Sequence, residues 1–260
     1  MSGASHIATT DDVFLGGALR LQQPASGYRA GLDAVLLAAA CPVTAGSAAR
    51  CLDCGAGVGT VGLALARRVA DARVTLIERD PALADLAKRN AAANGLTDRC
   101  RVISDDLMRP LSQIAALVGE AGTFDHVLAN PPYYAHGDGT RARDRLKDGS
   151  HAMQAGSLED WARFAAAMTR DGGSLTLIHR PDALPEILPA LQRRFGRVLI
   201  LPLHPRAGAP ASRMIIQGLK ASRAALQILA GHVLHAEDAH SFTPEFDAIL
   251  RHGAALELTP

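Results

Sequence analysis

Four consecutive residues, Asn130-Pro131-Pro132-Tyr133, carry the most specific chemistry in this 260-residue chain. An asparagine side-chain oxygen accepts a hydrogen bond from one hydrogen of an amino group. The carbonyl of Pro131 can accept from the other. Two acceptors on one planar amino group fix its direction and raise electron density at its nitrogen. Tyr133 can stack on the flat body of such a group, an interaction worth roughly 1–3 kcal/mol. The set suits a planar, amino-bearing acceptor reacting at nitrogen. Its catalysis would rest on proximity and preorganisation rather than on a strong base. Tyr134, directly behind, either shapes the same pocket or joins the core.

A second group of residues suits a nucleotide-like ligand. Gly55-Ala56-Gly57-Val58-Gly59 follows the short apolar stretch ending in Asp53-Cys54 and precedes a helical run. Glycines in that place let backbone approach a ligand and let helix pack on strand. Glu78 ends the next apolar run, 21 positions after Gly57, the gap expected for a ribose-binding carboxylate. Asp106, with Asp105 beside it, ends a third strand. Alone it would read as a turn residue; Glu78 and the glycines give it weight. Asp33 is placed to cap a helix over 34–40, and a helix N-terminus is also a polar ligand platform. Cys51 and Cys54 have C-x-x-C spacing without a second ligand pair, so they read as small core residues, and no metal site is expected. His151 is a candidate near the site.

These residues need elements to hold them. Phe124 to Ala129 reads as a buried strand. It must stop at Asn130, because proline lacks an N–H and cannot continue a ladder. Strands and helices alternate through the first two thirds of the chain, which implies an α/β fold with a doubly wound, mostly parallel sheet. In such sheets ligands bind at the carboxyl ends of the strands. From Arg197 onward the strands lie closer together, implying an antiparallel pair at one edge. Leu226 to Leu234 adds a strand or strand pair, and Pro244 to His252 a short helix. Residues 1–12 read as a loose arm, and Phe14 to Pro24 as a hairpin or irregular loop. With no repeat and no linker, a single domain over 1–260 is expected. The polar stretch 134–150, with Arg141, Arg143, Arg145 and Lys147, reads as a loop over the site.

Net charge is only +1, so no global polycation argues for nucleic acid. The distribution is uneven. Arg193 to Arg223 holds seven basic residues and no acidic one; Ala224 to Pro260 holds five acidic and one basic. A basic stretch of that kind permits contact with a phosphate backbone, through Arg206, Arg213 and Lys220. No apolar run is long enough for a membrane span, and the polar N-terminus lacks a secretory signal pattern. The cytoplasm is the default, and four cysteines are ordinary there.

Asp53-Cys54-Gly55-Ala56-Gly57-Val58-Gly59, Glu78, Asp106 and Asn130-Pro131-Pro132-Tyr133, in that order, resemble the class I S-adenosyl-L-methionine (SAM)-dependent methyltransferases. The resemblance implies their Rossmann-like fold, a mostly parallel seven-stranded sheet with an antiparallel edge and helices on both faces. Gly27-Tyr28-Arg29-x-Gly31-Leu32-Asp33 to Ala38, Tyr134 after the tetrapeptide, and Leu203-His204-Pro205-Arg206 to Arg213 are similar to the bacterial tRNA(Val) adenine-N6 methyltransferases. Leu32 stands where that group commonly has threonine. The likeness implies SAM as cofactor and tRNA as substrate, with methylation at an adenine beside the anticodon. It implies Asn130, Pro131, Pro132 and Tyr133 as the catalytic set. Asp53, Gly55, Gly57, Gly59, Glu78, Asp106 and Asn130 would bind the donor, with Tyr28, Arg29 and Asp33 closing its methionine end. Residues 1–48 would then form an arm and helix over that site. Three alternatives share parts of the pattern: glutamine N5-methylation of a translation factor, adenine methylation in another RNA or in DNA, and an RNA-binding protein that keeps the fold without turnover. About fifty residues precede the first expected strand, too few for the separate helical domain usual in the glutamine enzymes. A generic nucleotide-binding oxidoreductase would share the glycines but has no reason to carry Asn-Pro-Pro-Tyr.

Overall fold

The short apolar runs form the strands, and the glycine and proline positions end them. The computed structural model describes residues 8–27, 29–118, 121–132, 157–237 and 241–259. Strands are β1 (Thr9–Phe14), β2 (Leu19–Pro24), β3 (Arg50–Cys54), β4 (Arg73–Glu78), β5 (Cys100–Ser104), β6 (Phe124–Ala129), β7 (Thr169–His179), β8 (Phe195–His204), β9 (Arg213–Lys220), β10 (Gln227–Ile228) and β11 (His232–Val233). Helices are α1 (Leu32–Ala39), α2 (Thr60–Arg68), α3 (Pro81–Ala93), α4 (Leu111–Val118), α5 (Ser157–Met168), α6 (Leu184–Gln192) and α7 (Pro244–His252).

The main sheet runs β10-β8-β9-β7-β6-β3-β4-β5, with β11 also on β8. Strands β3 to β7 are parallel to their neighbours within that group. β9 is antiparallel to both β7 and β8. The expected seven strands are present, and the antiparallel pair is where it was expected. Two-residue strands β10 and β11 extend the sheet beyond it, each parallel to β8.

Helices cover both faces. α1, α2 and α7 share one apolar cluster with β2, through residues such as Leu36, Leu63, Phe246 and Leu21. α4, α5 and α6 share the other, through Ile114, Trp161, Met168 and Leu191. Burying a leucine-sized side chain contributes about 1.5–3 kcal/mol. These aliphatic layers therefore supply most of the cohesion in a chain with few aromatics.

Two expectations are corrected. Residues 9–12 are not a loose arm; they pair with Leu21 to Pro24 as half of a hairpin. Asp33 is not the cap of α1. Gly31 takes that position, and Asp33 lies in the first turn, where a carboxylate is still favoured by the helix dipole. Cys51 and Cys54 are buried on β3, and all four cysteines are free. No described helix is long and apolar enough to cross a membrane, and the described residues hold no metal-ligating cluster.

Candidate active site

The register of the parallel strands assembles the site. Ala129 of β6 pairs with Cys54 of β3, and Cys54 with Ile77 of β4. Ile77 pairs with Ile103 of β5. The residues that follow each of these, Asn130, Gly55, Glu78 and Ser104, therefore form one row along the carboxyl edge. Three strand spacings separate its ends, about 14 Å. Asp105 and Asp106 continue from the far end of the row.

The glycine turn is tied to its neighbour strand. Ala56 N–H donates to the Ile77 carbonyl at 2.9 Å, and Gly57 N–H to Glu78 Oε2 at 2.8 Å. Glu78 Oε1 accepts from Asp80 N–H at 2.8 Å. Each carboxylate oxygen has a second lone pair for a further donor. Gly57 has φ +56°, and a β-carbon there would meet nothing within 4 Å. The turn thus presents bare backbone to open space. Gly59 serves packing instead. It is the N-cap residue of α2, and a β-carbon on it would press on Leu63, Leu76 and Ala87.

Asp53 lies beneath the turn, 1% exposed, with Oδ2 accepting from Gly62 N–H at 2.8 Å. Burial pushes its carboxyl up to about 7; the Gly62 bond opposes this and the Glu78 charge adds to it. Asp53 therefore braces the turn against α2. Asp106 Oδ1 accepts from Met108 N–H at 2.9 Å, a local turn. Asp105 is engaged by Arg109, whose two contacts of 2.9 Å hold its carboxyl below the ordinary value.

Pro131 is buried and Pro132 exposed at the end of β6. Tyr133 and Tyr28 lie outside the described residues, as do Arg141, Arg143, Arg145, Lys147 and His151. Arg29 is occupied in the N-terminal hairpin: it donates to Thr10 Oγ1 at 2.6 Å and the Pro24 carbonyl at 3.2 Å, and pairs with Asp12. Arg206 is exposed in the turn between β8 and β9, and Arg213 begins β9. That turn lies at the carboxyl edge, because Met214 pairs with His179 at the end of β7. Lys220 is a correction. It pairs with Phe195 at the opposite edge and donates to the Thr169 carbonyl at 2.6 Å, so it is remote from the row.

Two contributors escaped the sequence reading. Trp161 of α5 packs on the turn: a β-carbon built on Gly55 would lie 2.5 Å from its Cη2. The same indole lines a small apolar cavity with Ala129 and Pro131, so it sits behind both the turn and the strand end. Its uniqueness as the one tryptophan was the available signal. Asn90 of α3 is fully buried and donates to the Val58 carbonyl at 3.0 Å. Its spacing of four from Asn94, the C-cap of the same alanine-rich helix, is the signal the sequence carries for it.

Comparison with known proteins places this architecture. The family model described as the methyltransferase small domain matches residues 32–200. A tRNA1(Val) (adenine(37)-N6)-methyltransferase of Porphyromonas gingivalis is 34% identical over 178 residues, 68% of each chain. The protein of the same name from Aeromonas hydrophila is 30% identical, over 73% of this chain and 75% of its own. The crystal structure of a predicted O-methyltransferase, protein Atu636 from Agrobacterium tumefaciens, is 35% identical with a TM-score of 0.72. It covers 86% of this chain and 98% of its own.

Proposed function

The chain belongs to the methyltransferase small domain family, and from that footing we propose that it methylates N6 of an adenine in tRNA, with SAM as donor. One observation carries this reading: the row that sets Asn130 beside Gly55 and Glu78. Donor cradle and amino clamp leave adjacent strands at the same height, so their separation is fixed by sheet geometry.

The donor supplies an electrophilic methyl group. Glu78 accepts from ribose hydroxyls while its backbone bonds keep the carboxylate aimed. Gly55 and Gly57 let the chain pass close to the ligand. Asp106 accepts from an adenine amino group at the far end of the row. Arg29 acts at the methionine end only by holding the hairpin, since its guanidinium is already engaged.

At the acceptor, Asn130 and the Pro131 carbonyl take one amino hydrogen each. They orient the nitrogen and hold its density toward the methyl group. Tyr133 completes the clamp by stacking. The amino group needs no prior deprotonation, because the methylated product sheds a proton readily. A base beside an anticodon must leave its stack to reach the clamp. Arg206, on the same edge, suits a phosphate of that RNA, and the Arg141 to Lys147 stretch adds further charge. The tRNA1(Val) adenine 37 named for the relatives is the specific candidate. A tRNA substrate sets the enzyme in the cytoplasm.

The Agrobacterium structure carries the name of a predicted O-methyltransferase, so oxygen is the other acceptor to test. One experiment separates the two. Unmodified tRNA is incubated with the enzyme and SAM, digested to nucleosides and separated by chromatography with mass detection. N6-methyladenosine is expected. A methyl group on ribose, or transfer to release factor but not to tRNA, would replace this reading.

A further inference from the structure

Asn90 of α3 and Asn94, the residue that caps its C-terminus, lie one turn apart and serve as a substitute strand for β2. Asn90 Oδ1 accepts from Gln22 N–H at 2.8 Å, and its Nδ2 donates to the Gln22 carbonyl at 3.0 Å. Asn94 repeats the pattern on Arg20, at 3.0 and 2.7 Å. The spacings agree: four helical residues rise about 6 Å, and two strand residues about 6.8 Å. The outer edge of the hairpin is thereby paired without another strand.

Asn90 differs from Asn94 in one respect. Its amide also donates to the Val58 carbonyl, inside the glycine turn. Asn94 spends its extra donor on the Asn90 carbonyl at 2.8 Å. Beyond Gln22 the bonds continue. Gln23 exchanges two bonds with the backbone of Ala30, at 2.8 and 3.0 Å, and also donates to Asp12 at 2.6 Å. A continuous chain of contacts therefore runs from the turn through Asn90 and Gln22 to the segment that enters α1.

We propose that Asn90 is a positioning residue that couples the glycine turn to the N-terminal hairpin, so that donor occupancy and hairpin order rise together. The proposal rests on the donor site assigned above. The chemistry demands a carboxamide: one acceptor faces an N–H while two donors face carbonyls, and a carboxylate would set oxygen against oxygen at Val58 and Gln22. A fully buried amide with all three bonds made is costly to alter.

The test uses the full chain and S-adenosylhomocysteine as the probe. Asn90→Asp is compared with Asn94→Ala, which loosens the same hairpin without touching Val58. Calorimetry is expected to give roughly tenfold or weaker binding for Asn90→Asp, and a change within about twofold for Asn94→Ala. The KM for donor should rise in Asn90→Asp while kcat at saturating donor changes by less than about threefold. Hydrogen exchange at the Gln22 amide of the unaltered protein should slow when the probe is bound, a readout that stands even if Asn90→Asp fails to fold. Equal losses of affinity in the two variants, or a Gln22 amide indifferent to the probe, would reduce Asn90 to a hairpin anchor and overturn the coupling. Absence of any binding to the unaltered protein would instead overturn the donor site itself.

Discussion

Asp33 Oδ2 accepts from Arg213 Nε at 2.8 Å, joining residues 180 positions apart. The pair ties the first turn of α1 to the start of β9, at the carboxyl edge of the sheet. Asp33 was expected at the donor and Arg213 at RNA; each is engaged by the other. The partners are 18% and 30% exposed, so the bond is only partly screened. A double-mutant cycle of Asp33→Ala and Arg213→Ala should return a coupling of about 1 kcal/mol in urea unfolding. Additive losses, together with a weakened salt dependence of tRNA binding in Arg213→Ala, would restore Arg213 to the RNA.

Asn130→Ala removes the side-chain acceptor and leaves the turn intact. Transfer at saturating donor should fall at least about 100-fold. S-adenosylhomocysteine affinity should change little, because the cradle belongs to β3 and β4. Full activity in this variant would sink the amino clamp.

Asp53 predicts an unusual pH dependence. Its carboxyl titrates near 7 in the folded chain against an ordinary value of 3.8. Between those values the folded state binds the extra proton, so the Asp53 contribution to stability is fully present below about 4 and is lost as pH rises through 7. The loss is on the order of 4 kcal/mol. Asp53→Asn keeps an acceptor for Gly62 and has no charge to bury. Its stability should lack that slope and exceed the parent's at pH 8. Parallel curves for the two proteins across pH 5 to 8 would remove the buried acid as their cause.

Trp161 should report on the donor site and help to shape it. Its indole lies against Gly55 and, as the one tryptophan, owns the tryptophan emission. Binding of S-adenosylhomocysteine should shift that emission. Gly55→Ala should cost about 1–3 kcal/mol of stability through its clash with the ring and its positive φ. Adding Trp161→Phe, a smaller ring, should recover part of the loss. Independent, additive effects would mean that the contact is not tight.

Much of the fold was legible because strand and helix leave local marks. Gly55 to Gly59 and Asn130-Pro131-Pro132 can hardly occupy anything but turns and strand ends. Alternation of elements implies a parallel sheet, and carboxyl ends are where such sheets bind ligands. Residue order along the chain thus determined the reaction class and the members of the row. Register did not follow from it, since pairing depends on strands brought together from distant positions. The sheet alone decided that Asn130, Gly55 and Glu78 stand at one height. Polar side chains were the least legible. Arg29, Asp33, Arg213 and Lys220 have the same charge wherever they lie, and only packing decides whether a partner or a ligand meets it. Asp53 has the residue type of a donor ligand, and only packing shows that it also braces the glycine turn against α2. Asn90 and Trp161 carried no motif, and only tertiary contact set them behind the turn. For the tetrapeptide, chain chemistry makes Asn130 the candidate clamp, and only the β3–β6 pairing sets it beside the Gly55 turn proposed as the donor cradle.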